Sequence, residues 1–162
     1  MKAGPWTIPE RLEYLIKMGI WPATPEQAGA WGAKAPVSTE VAGCFAEGET
    51  EIYFDPPPFR TISERIAAGE SFWTVIDADP SGIDPASSVL IGDFGPGSDS
   101  PIILDYRENP ADPFVKYLRW GARAPENRWV TGASSFDEFC EMLELPKPPN
   151  QLPREAPTSF PD

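Results

Sequence analysis

Three aspartates between Val89 and Tyr106, namely Asp93, Asp99 and Asp105, are the residues whose type and spacing could do chemistry. Carboxylates held close together can bind a divalent cation, or divide general-acid and general-base work between them. Asp93-Phe94-Gly95 also spells the magnesium-binding tripeptide of protein kinases. That reading requires a glycine-rich loop, a strand lysine and a catalytic-loop aspartate and asparagine upstream, and the chain has none of these. A calcium loop requires oxygen ligands at alternate positions, a central glycine and a terminal glutamate, and the spacing here does not comply. The chain has no histidine, which removes the commonest general base and transition-metal ligand, and no Gly-x-Ser-x-Gly elbow accompanies the acids. Beside glycine and serine, these aspartates are expected to serve turns and local backbone bonds. No cofactor, no metal and no catalytic residue is expected, and a carboxylate-based hydrolase ranks third among the functional readings.

Positioning these acids falls to a hairpin. The apolar runs Val89 to Ile91 and Ile102 to Leu104, rich in β-branched residues, flank a loop containing Gly92, Gly95, Pro96 and Gly97, which predicts two strands joined by a shaped turn. Around it the spacing predicts further elements. Thr7-Ile8-Pro9-Glu10 has capping-box spacing and opens a helix with Leu12, Leu15 and Ile16 on one face, ended by Gly19. Thr24-Pro25-Glu26-Gln27 opens a short helix through about Trp31, with proline at its first position. Residues 32 to 46 carry no signal. Glu51 to Phe54 suits a strand that three prolines stop, Thr61 to Glu64 is another capping box with Gly69 as its terminator, and Phe72 to Ile76 is an unassigned apolar run. Asp79-Pro80-Ser81-Gly82 and Asp84-Pro85 read as turns.

After the hairpin, Val115 to Trp120 forms a strand with Val115 and Tyr117 on one face and Lys116, Leu118 and Trp120 on the other; Trp129 to Thr131 adds one more. Ser135-Phe136-Asp137-Glu138 opens a final helix whose Phe136, Phe139, Cys140 and Leu143 form an amphipathic stripe that should lie across the sheet. Six prolines in the last seventeen residues make Pro146 to Asp162 an extended tail, so the domain is expected over residues 1–145 and the tail over 146–162.

At 162 residues, 41% of them hydrophobic, the chain has enough apolar side chain for one domain. Its formal charge is -12, and between Asp77 and Asp112 eight carboxylates face the single cation Arg107. Nucleic acid and anionic membranes would be repelled, whereas a basic protein would be attracted. Cys44 and Cys140 match no metal or redox spacing and read as two reduced thiols of a cytosolic protein. No apolar leader opens the chain and no stretch is apolar enough to span a bilayer, so no membrane association is expected. Six tryptophans are more than a core of this size needs, and Trp120, beside Arg119 and Arg123, is the best candidate for an interface anchor or a cation–π contact.

Val89-Leu-Ile-Gly-Asp-Phe-Gly-Pro-Gly-Ser-Asp, Pro101-Ile-Ile-Leu-Asp-Tyr, Val115-Lys-Tyr-Leu and Ala133-Ser-Ser-Phe-Asp-Glu-Phe together resemble the SUKH superfamily, which contains fungal cell-wall-assembly regulators and bacterial toxin-immunity proteins. The resemblance covers about Val89 to Leu145. It implies a single α+β domain, with helices packed on a mixed, mostly antiparallel sheet, that acts by binding rather than catalysis. It also implies a cytoplasmic immunity protein that neutralises a cognate toxin, with a regulatory or scaffolding module in cell-envelope control as the alternative. Asp93, Phe94, Asp99, Glu108, Asp112 and Trp120 are the expected partner-binding residues, and a basic nuclease toxin or other basic protein the expected partner. The residues leave the oligomeric state open.

Overall fold

The computed structural model describes residues 1–75, 83–123 and 126–151. The turn expected at Asp79 to Gly82, the end of the apolar run at Ile76, and the tail from residue 152 onward lie outside the described residues. In chain order the elements are β1 (Lys2–Ala3), β2 (Trp6–Thr7), α1 (Glu10–Lys17), α2 (Pro25–Ala28), β3 (Ala33–Lys34), α3 (Thr39–Phe45), β4 (Tyr53–Phe54), α4 (Ile62–Ala67) and α5 (Ser71–Val75). They continue with β5 (Ser88–Asp93), β6 (Pro101–Asp105), β7 (Phe114–Arg119), β8 (Arg128–Ala133) and α6 (Phe136–Met142), followed by a 3-10 turn at Pro149–Gln151.

Strands β3 to β8 form one six-stranded meander in sequence order, every neighbour antiparallel, and β1–β2 form a separate small ribbon. The expected α+β domain is therefore present, with a wholly antiparallel sheet among the described residues. The β5–β6 hairpin sits at its centre, pairing Val89 with Leu104 and Leu90 with Ile103. A bulge between Leu90 and Gly92 adds one residue on β5, so that Ile91 stays on the main core and Asp93, paired with Tyr53 and Pro101, turns to the opposite face.

Both faces are covered. On one, α1, α3 and α6 bury Leu12, Leu15, Phe45, Phe136 and Phe139 against Val89, Ile91, Ile102, Leu104, Val115 and Tyr117. On the other, α4 and α5 place Ile62 and Trp73 over Leu90, Ile103 and Leu118. The alternation expected for β7 is therefore realised, and the run from Phe72 becomes a short helix rather than a strand.

One of the expected capping boxes forms as read: Thr61 Oγ1 accepts from the Glu64 N–H while Glu64 accepts from the Thr61 N–H. At the last helix only half of the box forms: Ser135 accepts from the Glu138 N–H, but the Glu138 carboxylate accepts from the N–H and hydroxyl of Ser134 instead of the Ser135 N–H. The first box does not form. Thr7 is spent in β2, pairing with Lys2, and α1 starts instead from Pro9 with no side-chain cap. α2 stops at Gly29, short of Trp31. In the segment without sequence signal, Ser38 caps α3 through the Val41 N–H. Pro146 to Gln151 run back over α1: Arg11, only 2% exposed, donates to the carbonyls of Leu145 and Pro146, and Pro148 is buried.

The hairpin turn uses left-handed backbone at Gly95 (φ 91°), Gly97 (φ 95°) and Asp99 (φ 44°). A Cβ at Gly95 would also collide with the Tyr53 ring, whereas at Gly97 it would meet open space. Gly97→Ala should therefore cost about 1 kcal/mol of strain, and Gly95→Ala roughly 2–3 kcal/mol because overpacking adds to it. Urea unfolding midpoints of the two variants check the order, and equal losses would contradict this account of the turn.

Candidate functional site

The hairpin brings two of its aspartates to a cleft. Asp93 at the end of β5 and Asp99 in the turn line an open cleft of about 450 Å³ on the α4–α5 side of the sheet. The other walls come from far apart in the chain: Gly29 to Gly32 after α2, Asp55 to Pro58 after β4, Arg60 and Arg65 around α4, and Glu70, Phe72 and Trp73 at α5. Such a volume falls in the range of about 300–1,000 Å³ usual for ligand sites. Trp31, 61% exposed, stands on its wall.

The charges of this cleft divide into a satisfied and an unsatisfied set. Arg65 pairs with Glu70 at 3.0 Å and with Asp55 at 3.7 Å, which occupies both acids on the α4 side. Burial nevertheless keeps the Asp55 carboxyl above its ordinary pKa, since the Arg65 attraction is countered by Glu70. Asp93 accepts the Gly95 N–H at 2.7 Å, the local turn bond expected for an aspartate beside glycine. Burial, with smaller repulsion from Asp99 and Asp55, pushes its pKa up from 3.8 to about 6. Among the described residues neither Asp93 nor Asp99 forms an ion pair.

Asp105 has the opposite environment. It is 3% exposed, and although burial works against its charge, hydrogen bonds from Arg107 and Lys116 hold its pKa below the ordinary value. It is an internal ion-pair residue, and the three aspartates do not converge on one point. Among the described residues no cluster of potential metal ligands is found.

Of the other expected contact residues, Phe94 is corrected: it is 4% exposed and packs edge-to-face on Tyr117 and against Phe45, because the strand alternation that turns Asp93 out turns Phe94 into the main core. Trp120 is 42% exposed and flanks the cleft, resting edge-on against Phe72 while its indole N–H donates to the carbonyls of Ser98 and Asp99. It thus clamps the hairpin turn as well as presenting a ring to solvent. Among the described residues the cation that finds a ring is Arg119, over Tyr117 at 6.0 Å, not one above Trp120. Glu108 and Asp112 are exposed on the β6–β7 connection. Asp112 lines a second cleft, of about 600 Å³, with Pro9, Arg11, Phe136 and Asp137, so the structure separates it from Asp93 and Asp99.

The sequence reading missed Trp31, Asp55 and Arg65 as members of this cleft. Trp31 had one available signal, the glycines at 29 and 32 that bracket it; in the structure both take positive φ, in a turn where a large aromatic has no helical stripe to join. Cys44 is exposed and Cys140 buried, both as free thiols, and burial pushes the Cys140 pKa up to about 12.

The raised pKa of Asp93 carries a stability consequence. Between pH 4 and 6 the unfolded chain gives up this proton before the folded one does, so the Asp93 contribution to stability falls as pH rises through that window and is constant above it. Asp93→Asn keeps an oxygen for the Gly95 N–H and does not titrate. Its stability relative to the native protein should climb from pH 4 to pH 6 and then level off; parallel curves of urea midpoint against pH would contradict this.

Comparison with known proteins adds no relative: no protein-family model, no curated protein and no solved structure matches this chain.

Proposed function

We propose that this chain is a non-catalytic cytosolic binding protein of the SUKH type, an immunity protein that binds and neutralises a cognate, basic toxin domain. The single observation that carries the reading is the open cleft beside the central hairpin, where Asp93 and Asp99 have no ion-pair partner among the described residues while Trp31 and Trp120 stand exposed around them. Exposed aromatics are favoured anchors at interfaces, and unneutralised acid on a chain of charge -12 speeds encounter with a basic partner. No helix among the described residues is long and apolar enough to cross a membrane.

The test is co-purification with the toxin domain encoded beside its gene, together with protection of cells expressing that toxin. Binding should be tight and should weaken as salt screens the charge. A neighbouring toxin that neither binds nor is neutralised rules the immunity role out, and the regulatory-module reading then takes its place.

A carboxylate-based hydrolase is favoured by one specific observation, the elevated pKa of Asp93 in a cleft with aromatic walls, which suits a general acid. Native protein incubated with a panel of chromogenic glycosides decides the matter. Turnover that Asp93→Asn abolishes would establish the hydrolase, and the binding reading expects no turnover by either protein.

A further inference from the structure

We propose that the cleft between the hairpin turn and the α4–α5 helices is the seat of an arginine side chain presented by a loop of the protein partner. The inference rests on the binding reading above and assigns that partner a chemistry and a place.

Among the described residues six charged side chains line the cleft: Asp55, Arg60, Arg65, Glu70, Asp93 and Asp99. Arg65 lies between Asp55 and Glu70 and neutralises part of their charge, leaving Asp93 and Asp99 on the hairpin side and Arg60, which is exposed, on the α4 side. The field is therefore uneven along the cleft, acidic at the hairpin and basic at Arg60, so a cation entering it is directed toward Asp93 and Asp99. Asp93 is only partly hydrated, and backbone hydrogen bonds from Gly95 and Ser100 are weak substitutes for a cation. Placing a guanidinium there would relieve the repulsion that Asp93 feels from Asp99 and Asp55.

The walls choose between cations. Trp31, which is exposed, and Phe72, which is half-buried, present apolar rings to the cleft, and the guanidinium group stacks on aromatic faces and bonds carboxylates through a planar fork, whereas a lysine ammonium is a compact, strongly hydrated point. The cleft is also larger than one side chain needs, which leaves room for the loop that carries the arginine. Trp120, locked to the turn through the Ser98 and Asp99 carbonyls, holds the acidic wall in place before the partner arrives.

The probe is acetyl-arginine amide, with acetyl-citrulline amide as its neutral isostere, titrated into the full-length 15N-labelled protein. The arginine compound should shift the resonances of the Trp31 indole, Gly92, Asp93 and Asp99 as one group, and the citrulline compound should not. Asp93→Asn and Trp31→Ala should each weaken this binding by about fivefold or more, with unfolding midpoints showing that both variants fold. Equal response to both compounds, or shifts scattered away from the cleft, would overturn the proposal. The neighbouring toxin separates the two readings. If it binds both variants as tightly as the native protein, the cleft assignment is wrong while the immunity role stands; if it binds no form of the protein but the arginine compound still finds the cleft, the immunity role fails and the site survives.

Discussion

Every residue of β6, Pro101 to Asp105, is buried, and a strand projects alternate side chains to opposite faces. A strand buried along both faces cannot be covered by one layer of helices. Ile102 and Leu104 require the layer of α1, α3 and α6, and Ile103 requires α4 and α5. A slip of one residue against β5 would exchange these sets and drive Asp105 into the larger apolar core. Register is thus the constraint on which the rest depends, and the features that hold it are local: the bulge in β5, the left-handed residues of the turn, and the indole of Trp120 bonded across to Ser98 and Asp99. Among the described residues the second layer consists of two short helices that leave part of that face open, and the open part is the cleft.

The hairpin was legible because its signals are local and agree with one another: β-branched runs of the right length, glycines where the chain must reverse, acids that bond the turn. α4 and α6 were legible for the same reason. Thr7 to Glu10 has the same spacing as the box at Thr61 and yet forms no cap, because β1 pairing holds Thr7 extended and its carbonyl accepts the Tyr106 hydroxyl at 3.0 Å, ninety-nine residues away in sequence. α3 carried too weak a signal, with valine where a capping box has an acid and Gly43 inside the helix. Arg11 shows the limit most plainly. A cation in the first turn of an amphipathic helix reads as solvated, and its burial depends on carbonyls supplied by Leu145 and Pro146.

The candidate site divides along the same line. Asp93 and Asp99 belong to the hairpin and could be named from it. The opposing wall is assembled from the turn after α2, the proline run after β4 and the α4–α5 corner, segments whose only relation is that each packs against the sheet near β5. Phe94 is an error of a different kind. Strict alternation from Val89 and Ile91 would turn Asp93 inward and Phe94 outward, and the bulge between Leu90 and Gly92 reverses the two.

Asp93 and Asp105 close opposite ends of the hairpin pairing, one against Pro101 and the other against Ser88, and their charges have opposite fates. Both lose water on folding. Asp105 regains more than it loses because Arg107 follows it by two residues and Lys116 reaches it from β7. Asp93 is half-buried and meets only the backbone of Gly95 and Ser100 and two further acids, and burial above all pushes its pKa up to about 6. A chain with 25 acids and 13 bases cannot neutralise every carboxylate, so some must remain without a cation. On solvated surface such a carboxylate costs little. Asp93 is in a partly buried cleft, and there the folded protein carries an electrostatic penalty. A basic side chain docked there would relieve that penalty, so the arrangement that weakens the isolated fold would favour a complex with a basic partner.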